Sequence, residues 1–523
     1  MSAYGPLNLL ADRVNGFYRA GQSRRVLEVA DGYERYARTA GDDRTANFLL
    51  QAKMYAYLDL GRHREALATG AELLRRQQAC GYVLGEAKVL ADLAELSVLE
   101  GQHEDGMRYL ARAGILLDRC PSTGERYLAA LSSMNDAAYA AELYETAAAT
   151  YERLAQSWAA SGMPDMPNHN VGYAAMMLLW GLRLEQLGRD QEASVRLRKA
   201  VVLTRPWLAT LTGPSTEANF YAVTAIHALA LAKLGQPRQA HELATAVVVE
   251  ARRKEVHWAA RLAHLALGVS ARATGDLDTA RRELLAAEQL IHFGARNDER
   301  LVIRHELAVL AAHLAGPELS RHFLDAIVEQ ARQLWDLRLQ RLAMLRQARQ
   351  REELDARRAA AERAMLTDPL TGLTNRRGFD RMLAQLDAAP PAEPIVLLVI
   401  DVDEFKAIND TYSHSAGDKV LAVIADAIAG QCRRGTDFPA RYAGDEFAIF
   451  LREADLGTGL EVAERIRQAV READVDGITP GMRASISIGA AALRPGMTGR
   501  ELFQAADQQL YESKRHGRNR VSA

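Results

Sequence analysis

The sequence predicts a multidomain protein, in which an all-α solenoid of stacked helical hairpins is followed by a long linker helix and an α/β domain. Three patterns support this fold class: evenly spaced turn glycines among helix-period apolar residues, a long stretch without Gly or Pro, and short β-branched runs near the carboxyl end. We expect the solenoid to span residues 1–333, the linker helix 334–366 and the α/β domain 367–523.

The solenoid prediction rests on segments such as GRHREALATG and GDLDTARREL, each of which begins with a glycine and continues with helix-period apolar residues. The turn glycines are Gly21, Gly61, Gly101, Gly235 and Gly275, with Gly188 and Gly316 fitting the series after small insertions. The recurring spacing is 40 residues, which is typical of stacked helical hairpins because one hairpin cannot bury its apolar face alone. The pattern resembles tetratricopeptide-type repeats over roughly residues 5–333. This resemblance implies a concave surface for an unknown protein, peptide or small effector.

Residues 334–366 contain neither Gly nor Pro and combine strong helix formers with dense mixed charge. This composition predicts one long helix. Its apolar stripe is weak because Arg349, Arg351 and Glu352 interrupt a strict heptad. A solvated connecting helix and a parallel dimeric coiled coil are both open interpretations.

Composition narrows the possible partners and location. The formal net charge is −2, which gives no bulk attraction to nucleic acid or anionic lipid. The three cysteines are widely separated and form no C-x-x-C pair, a pattern that argues against a disulfide framework or a zinc site. The first residues lack the features of a signal peptide, and no later stretch resembles a spanning helix. We therefore expect a cytoplasmic protein with no nucleic-acid and no membrane partner.

Acidic residues follow or join the predicted strands of the last domain. The apolar run at 395–400 predicts a central strand covered on both faces, and Asp401 comes directly after it. A second pair of strands is joined by a turn at Gly444 that carries Asp445 and Glu446. Carboxylates gathered in a small space require a cation, and hard oxygen ligands favour Mg²⁺ or Mn²⁺. This arrangement is typical of metal-dependent phosphoryl and nucleotidyl transfer.

Five motifs in order resemble one family. They are DPLTGLTNRR, IDVDEFKAINDTYSHSAGD, RGTDFPARYAGDEF, SISIGAA and ADQQLYESKRHGRN. Through them, residues 367–520 resemble the GGDEF family, the diguanylate cyclases. The resemblance implies an α/β domain with a mixed central sheet that condenses two GTP molecules into cyclic di-GMP and two pyrophosphates. Because each domain holds one GTP, it also implies a homodimer.

The resemblance also implies roles for individual residues. Asp401, the backbone carbonyl of Val402 and Asp445 match the metal ligands, and Asp445 and Glu446 match the catalytic acids. The matches to substrate-binding residues are Asn409 and Asp418 for guanine, and Phe405, Lys406, Lys514 and Arg518 for the phosphates. A carboxylate accepts hydrogen bonds from N1–H and the exocyclic amine of guanine, whereas adenine offers no such pair, so these residues favour GTP over ATP.

A product-inhibition site is implied by the segment RGTD. Arg434 and Asp437 match residues that clamp cyclic di-GMP, and Arg465 matches a secondary contact. The alternative interpretation of Arg434 and Asp437 is an ion pair at a helix end.

One position departs from the family signature, which here begins with Ala443 instead of Gly. If this position required positive φ, the alanine would cost on the order of 1 kcal/mol. The leading functional hypothesis is a diguanylate cyclase regulated by its helical repeats and by its product. The alternative is a catalytically silent receptor that binds GTP or cyclic di-GMP and acts through protein–protein contacts.

Overall fold

The structure is a computed structural model of the chain, and it describes residues 5–162, 167–208, 217–293, 297–314, 317–388, 393–481 and 483–523. The chain divides into two compact units, Met1–Glu353 and Leu354–Ala523. The turn glycine expected at Gly316 lies outside the described residues.

The amino-terminal unit is built from helices alone in the residues that the structure describes. They are α1 (Asn8–Arg19), α2 (Ser23–Thr39), α3 (Asp43–Asp59), α4 (His63–Ala79), α5 (Val83–Leu99), α6 (His103–Arg119), α7 (Glu125–Ala140), α8 (Tyr144–Ser161), α9 (Pro167–Gln186), α10 (Asp190–Thr204), α11 (Glu217–Lys233), α12 (Pro237–Arg253), α13 (His257–Ala273), α14 (Leu277–Gln289) and α15 (Asn297–Leu314). Two short 3₁₀ helices, Arg205–Trp207 and Leu290–His292, extend α10 and α14. A further helix, α16 (Pro317–Leu366), continues past the division between the units.

Helices α2 to α6 each have 17 residues, and α2 to α5 end at similar turns that contain a left-handed glycine. The turn between α1 and α2 is of the same kind, and its Gly21 has a φ of 69°. The N–H groups of Gly21 and Gln22 donate to the carbonyls of Tyr18 and Phe17, which is the Schellman arrangement that satisfies the last carbonyls of a helix. Left-handed glycines also occur midway through the predicted period, at Gly41 and Gly81. The 40-residue spacing is therefore two helices and two equivalent turns, and the predicted helical hairpins are confirmed.

The amino-terminal unit buries its helices to different extents. In α13, every residue from 259 to 271 is buried. A helix that is buried on all faces must be surrounded by its neighbours. In α2, by contrast, only Ser23, Val26, Ala30 and Ala37 are buried. Helix α13 thus forms the interior of the stack.

Helix α16 packs against the helical unit along much of its first half. Ala331, Trp335 and Leu345 are buried, and Arg338 is only 1% exposed. We expected a linker helix from residue 334, but residues 331–349 are part of the helical unit because their buried side chains and ion pairs hold them there. The coiled-coil interpretation of this helix stays a prediction.

Arg338 is the centre of that contact. Its Nε donates to the carbonyl oxygen of Glu142 at 2.8 Å, and its guanidinium forms an ion pair with Glu145. The guanidinium also lies over the rings of Trp335 and Tyr144, 4.3 Å and 5.3 Å from their centroids. These contacts combine hydrogen bonding with cation–π attraction in a largely dehydrated place.

The carboxy-terminal unit is an α/β domain. After the end of α16 its elements are α17 (Arg376–Ala388), β1 (Ile395–Val402), α18 (Phe405–Thr411), α19 (His414–Gln431), β2 (Phe438–Ala443), β3 (Glu446–Arg452), α20 (Leu456–Glu472), β4 (Ile486–Ala492), α21 (Gly499–Arg515) and β5 (Val521–Ser522). The sheet has the order β2-β3-β1-β4-β5. Its pairs are antiparallel except for the parallel pair of β4 and β5, so the predicted mixed central sheet is confirmed.

Strand β1 lies in the centre of this sheet and supplies both cores. Val396, Leu398 and Ile400 belong to the core that α19 and α20 cover. Their neighbours Leu397 and Val399 point to the opposite core, which α17 and α21 cover. Alternate side chains of a strand face opposite sides, so a strand between two helical layers is apolar throughout. None of the helices in the described ranges has both the length and the apolar character needed to cross a membrane.

We expect Arg338→Ala to lower the free energy of unfolding of the helical unit by about 2 kcal/mol, because it removes the hydrogen bond to the Glu142 carbonyl, the ion pair with Glu145 and the ring contacts. The measurement is urea unfolding of the whole chain, followed by helical circular dichroism. The matched control is Arg332→Ala on the same helix, where the guanidinium is 63% exposed and its ion pair with Glu329 is 3.6 Å long. That control should change the free energy by less than about 0.5 kcal/mol. Equal effects of the two substitutions would contradict this account of the α16 contact.

Candidate active site

Strand register brings the predicted acidic residues together at one end of the sheet. Asp401 in β1 lies directly opposite Glu446 in β3. The N–H of Val402 donates to the backbone carbonyl of Asp445 at 3.2 Å. Carboxylates from two neighbouring strands and the turn between β2 and β3 therefore share a small volume.

The acidic residues raise one another's pKa. Burial raises the pKa of Asp401, and the charges of Asp445 and Asp403 add to this effect. Burial also raises the pKa of Glu446, with the charge of Asp401 as the next contribution. Desolvation and like charges both disfavour ionised carboxylates. The site thus favours a bound positive charge.

The donors at this place fit a hard divalent cation that shares its ligands with a substrate. Within the described residues, no group of three or more His, Cys, Asp or Glu side chains has the arrangement of a metal site. Mg²⁺ is commonly held by one or two carboxylates and takes its remaining ligands from substrate phosphates and water. Asp401 and Asp445, with the Val402 carbonyl, match that mode better than a complete protein cage.

Lys514, in helix α21, brings a positive charge to Asp401. Its Nζ lies 2.8 Å from a carboxylate oxygen of Asp401. Helix α21 can bring Lys514 this close because it rests directly on the backbone of β4 at Gly489. A Cβ at Gly489 would come within 2.1 Å of the Ala506 carbonyl oxygen and of the Leu510 nitrogen. The glycine in the SISIGAA motif therefore sets the position of α21, a role that the sequence analysis did not assign.

The signature turn is held by Arg441, which also forms an ion pair with Asp368. Arg441 Nε donates to the Gly444 carbonyl at 2.9 Å, and Arg441 Nη1 donates to Asp368 at 3.2 Å. Asp368 also accepts hydrogen bonds from the N–H and hydroxyl of Thr371. The DPLTG motif thus anchors the β2–β3 hairpin. The sequence analysis used Asp368 and Arg441 only as part of the family resemblance, since their pairing joins residues 73 positions apart.

Ala443 does not adopt the conformation that would have made it costly. Gly444 has a φ of 48°, whereas Ala443 does not have a positive φ. Ala443 instead ends β2 and pairs with Glu446, beyond a register shift that follows Arg441. The left-handed position of the turn is occupied by the glycine, so the alanine introduces no backbone strain of this kind.

The residues expected to bind guanine lie on adjoining segments. The Asn409 Oδ1 atom in α18 is buried and has no hydrogen-bond partner among the described residues. It packs against Gly417 in α19, where a Cβ would come within 2.0 Å of it. Asp418, the next residue, is exposed. Asn409 and Asp418 are therefore near each other in the fold, and Asn409 Oδ1 is an unpartnered acceptor among the described residues that reaches a base only when its side chain turns away from Gly417.

The residues expected to contact the phosphates come from the start of α18, from α21 and from the turn after α21. Phe405 packs partly buried against the core at the start of α18, and the adjacent Lys406 is exposed. Arg518 is exposed in the turn after α21 and has a left-handed φ of 59°. Of the basic residues expected to contact the phosphates, Lys514 is the one that the structure places in contact with an acidic residue of the site.

The residues expected to bind a product show a different arrangement. Asp437 is 6% exposed, and both of its carboxylate oxygens accept hydrogen bonds from the Arg433 side chain, at 2.9 Å and 3.1 Å. Arg434 is exposed, and Arg465 Nη2 donates to the Gln431 carbonyl at 3.1 Å. An ion pair at a helix end is thus present, although Arg433 forms it and not Arg434. Asp437 can reach a ligand only if this pair opens.

Comparison with known proteins identifies the domain that carries this site. The family model "Diguanylate cyclase, GGDEF domain" matches residues 365–520. The carboxy-terminal unit therefore contains a GGDEF domain. This match covers the predicted strands, the signature turn and α21.

Curated relatives are similar to this chain over a segment about as long as the GGDEF domain. Diguanylate cyclase DgcP of Pseudomonas aeruginosa is 39% identical over 158 residues, which are 30% of this chain and 23% of that protein. Diguanylate cyclase DgcM of Escherichia coli is 40% identical over 164 residues, which are 31% of this chain and 39% of that protein. The chain thus spans well under half the length of these relatives.

A solved structure with similarity to this chain is the coiled coil and GGDEF domain of DgcB from Caulobacter crescentus in complex with c-di-GMP. Its sequence identity is 32% and its TM-score is 0.32, over 35% of this chain and 97% of that one.

We expect Glu446→Gln to raise the melting temperature of the metal-free protein. The raised pKa of Glu446 means that its ionised form is less favourable in the folded state than in the unfolded state at neutral pH. The amide removes that charge, and a rise of roughly 1–3 °C is expected, because 1 kcal/mol shifts the melting temperature of a domain of this size by about 2–4 °C. The measurement is thermal unfolding of the whole chain in EDTA. Glu461→Gln, at an exposed position of α20, is the control, and a lower melting temperature for Glu446→Gln than for the control would contradict the prediction.

Proposed function

We propose that the protein is a diguanylate cyclase that condenses two GTP molecules into cyclic di-GMP with release of two pyrophosphates. The observation that carries this proposal is the register of β1 and β3, which sets Asp401 opposite Glu446 with Asp445 and Lys514 beside them. The GGDEF match over residues 365–520 supports it. Each 3′-hydroxyl attacks the α-phosphorus of the other GTP, so two P–O bonds form and two pyrophosphates leave.

The side chains of this site serve positioning and charge. Asp401, Asp445 and the Val402 carbonyl would hold Mg²⁺ or Mn²⁺, which when bound lowers the pKa of the 3′-hydroxyl and neutralises phosphate charge. Glu446 orients or supports this group of ligands. Lys406, Lys514 and Arg518 bind the phosphates, with the backbone at Phe405. Such preorganised charges stabilise the transition state more than the ground state.

Recognition of guanine falls to Asn409 and Asp418. The buried Asn409 Oδ1 without a partner gains a donor when guanine binds, and the Asp418 carboxylate accepts from the guanine edge. An adenine base would leave these acceptors unpaired, which is the stronger basis for discrimination. The substrate is therefore GTP.

Catalysis requires two copies of the chain. Each domain presents one set of acidic and guanine-binding residues, whereas the product contains two nucleotides. Two domains facing each other convert the reaction into one with high effective concentration. A homodimer is thus the active form, and the helical unit regulates it through an effector that binds its surface.

The central test is product formation. Purified protein with GTP and Mg²⁺ should release pyrophosphate and form cyclic di-GMP, and Asp445→Ala should lower the rate at least about 100-fold because it removes a charge that acts on the reacting centre. Asp426→Ala, at an exposed position of α19, is the matched control and should keep the wild-type rate. If the wild-type protein binds GTP or cyclic di-GMP but makes no product at several protein concentrations, the silent-receptor function replaces the cyclase.

Product feedback gives a second test. Arg434 binds cyclic di-GMP together with Asp437 and Arg465 once the Arg433–Asp437 pair opens. We expect Arg434→Ala to raise the inhibitory concentration of cyclic di-GMP about 10-fold or more, the loss of one charge-assisted contact, and to leave the initial rate unchanged. Arg471→Ala, at an exposed position of the same helix as Arg465, is the control. Unchanged inhibition in Arg434→Ala would remove this site.

A further inference from the structure

Asp403 is a buried carboxylate close to the site for which neither the motifs nor the proposed mechanism provides a role. It is 8% exposed, and it follows the end of β1. One carboxylate oxygen accepts from the Ser487 hydroxyl at 2.6 Å. The other accepts from the Ser485 hydroxyl at 2.8 Å and from the backbone N–H of Asn519 at 3.0 Å.

Asp403 therefore joins three segments that are far apart in the chain. Its backbone N–H also donates to the Ser485 carbonyl at 2.9 Å, so the residue is fixed through its backbone to the residue before β4 and through its side chain to that residue and to β4 itself. The bond to Asn519 reaches 116 residues along the sequence and ends in the turn after α21. A buried carboxylate with three donors is held in one orientation.

The turn that Asp403 holds has an unfavourable backbone. Arg518 and Asn519 have φ values of 59° and 46°, and two consecutive left-handed residues that are not glycine need support from their surroundings. Asn519 receives it twice, because its N–H donates to Asp403 and its Oδ1 accepts from Arg467 Nη1 at 2.9 Å. Arg518 itself is held through its backbone, because its N–H donates to the Ser513 carbonyl at 3.1 Å and its carbonyl accepts from Arg520 Nε at 3.4 Å. Its direction therefore depends on the anchor at the next residue.

We propose that Asp403 is a positioning residue, which fixes the turn at Asn519 so that Arg518 points toward the terminal phosphates of the nucleotide bound at Asp401 and Asp445. Asp403 does not touch the substrate. The inference rests on the proposed function, since it assigns a role in binding the same GTP. It adds that selectivity for the triphosphate over shorter nucleotides depends on a buried side chain behind the site.

Two substitutions of Asp403 should differ in how many of its hydrogen bonds they remove. Asp403→Ala removes all three acceptor interactions. Asp403→Asn keeps one oxygen that can accept from Asn519 and Ser485, while its amide group can donate to the Ser487 hydroxyl, which is able to accept. The asparagine variant should therefore retain part of the positioning.

The experiment measures nucleotide binding to the whole chain with Mg²⁺, using GMP and a GTP analogue whose α–β bridging oxygen is replaced by methylene, so that pyrophosphate cannot leave. We expect Asp403→Ala to lower the preference for the analogue over GMP about 10-fold, through the lost Arg518 contact, with the Kd of GMP changed less than about twofold. Asp403→Asn should fall between wild type and Asp403→Ala. General destabilisation would weaken both ligands alike and would leave the preference unchanged.

A double-substitution cycle tests whether Asp403 acts through Arg518. Arg518→Ala should lower the preference by a similar factor, and the combination with Asp403→Ala should add little, because residues that act as a unit are not additive. Asp426→Asn, at an exposed position, should behave as wild type. An unchanged preference in Asp403→Ala, or additive effects in the double variant, would overturn the proposal.

Failure of the positioning role can be distinguished from failure of the proposed function. If the wild-type protein binds the analogue and Asp403→Ala leaves its preference intact, the positioning role fails while GTP binding stands. If the wild-type protein binds neither nucleotide, the proposed function fails and the positioning role fails with it. Should Asp403→Ala not fold, Asp403→Asn provides the same comparison, and hydrogen exchange at the Asn519 amide should be faster in that variant than in wild type.

Discussion

The antiparallel register of β1 and β3 is the constraint on which the site depends. It sets Asp401 opposite Glu446 and brings the backbone of Asp445 to Val402. A shift of this register by one residue would turn Asp401 to the other face of the sheet, away from Lys514. The two apolar cores on either side of β1 hold the register, because a shift would move each β1 side chain into the opposite core, which is packed around a different set of side chains.

Charge is concentrated at this end of the sheet at an energetic cost, and the surrounding structure offsets it. The raised pKa values of Asp401 and Glu446 record the cost, and the Lys514 ammonium offsets part of it. The supports are less conspicuous: the Arg441–Asp368 pair fixes the signature turn, and the bond from Asn519 to Asp403 fixes the turn after α21. These two turns are therefore each oriented by a side chain from another segment of the domain.

Much of this arrangement was predictable where local pattern decides the structure. The apolar run before Asp401 predicted a strand buried on both faces, and Gly444 predicted the turn of the hairpin. The turn glycines predicted helical hairpins, although Gly41 and Gly81 were not recognised as members of the same series. In this part of the chain the repeating unit is one helix with one glycine turn, and the predicted hairpin contains two such units.

Other features depend on tertiary contacts that the sequence does not display. Arg338 bonds to Glu142 across 196 residues, so the extent to which α16 belongs to the helical unit could not be deduced from its composition. Arg433 and Arg434 are equivalent as letters, but the spacing of four from Arg433 to Asp437 allows the internal ion pair. The letters of the signature do not show which residue of the turn has a positive φ, and in the structure that residue is Gly444 and not Ala443.

The close approach of α21 to β4 at Gly489 limits which substitutions the chain can tolerate at this position. A methyl group there has no space between the strand and the helix, so even an alanine would force the helix outward and carry its lysine away from the acidic cluster. Random mutagenesis for loss of the proposed activity should therefore recover changes at this interior glycine together with changes at the acids themselves. The site therefore requires a residue without a side chain at position 489, although this residue does not itself line the site.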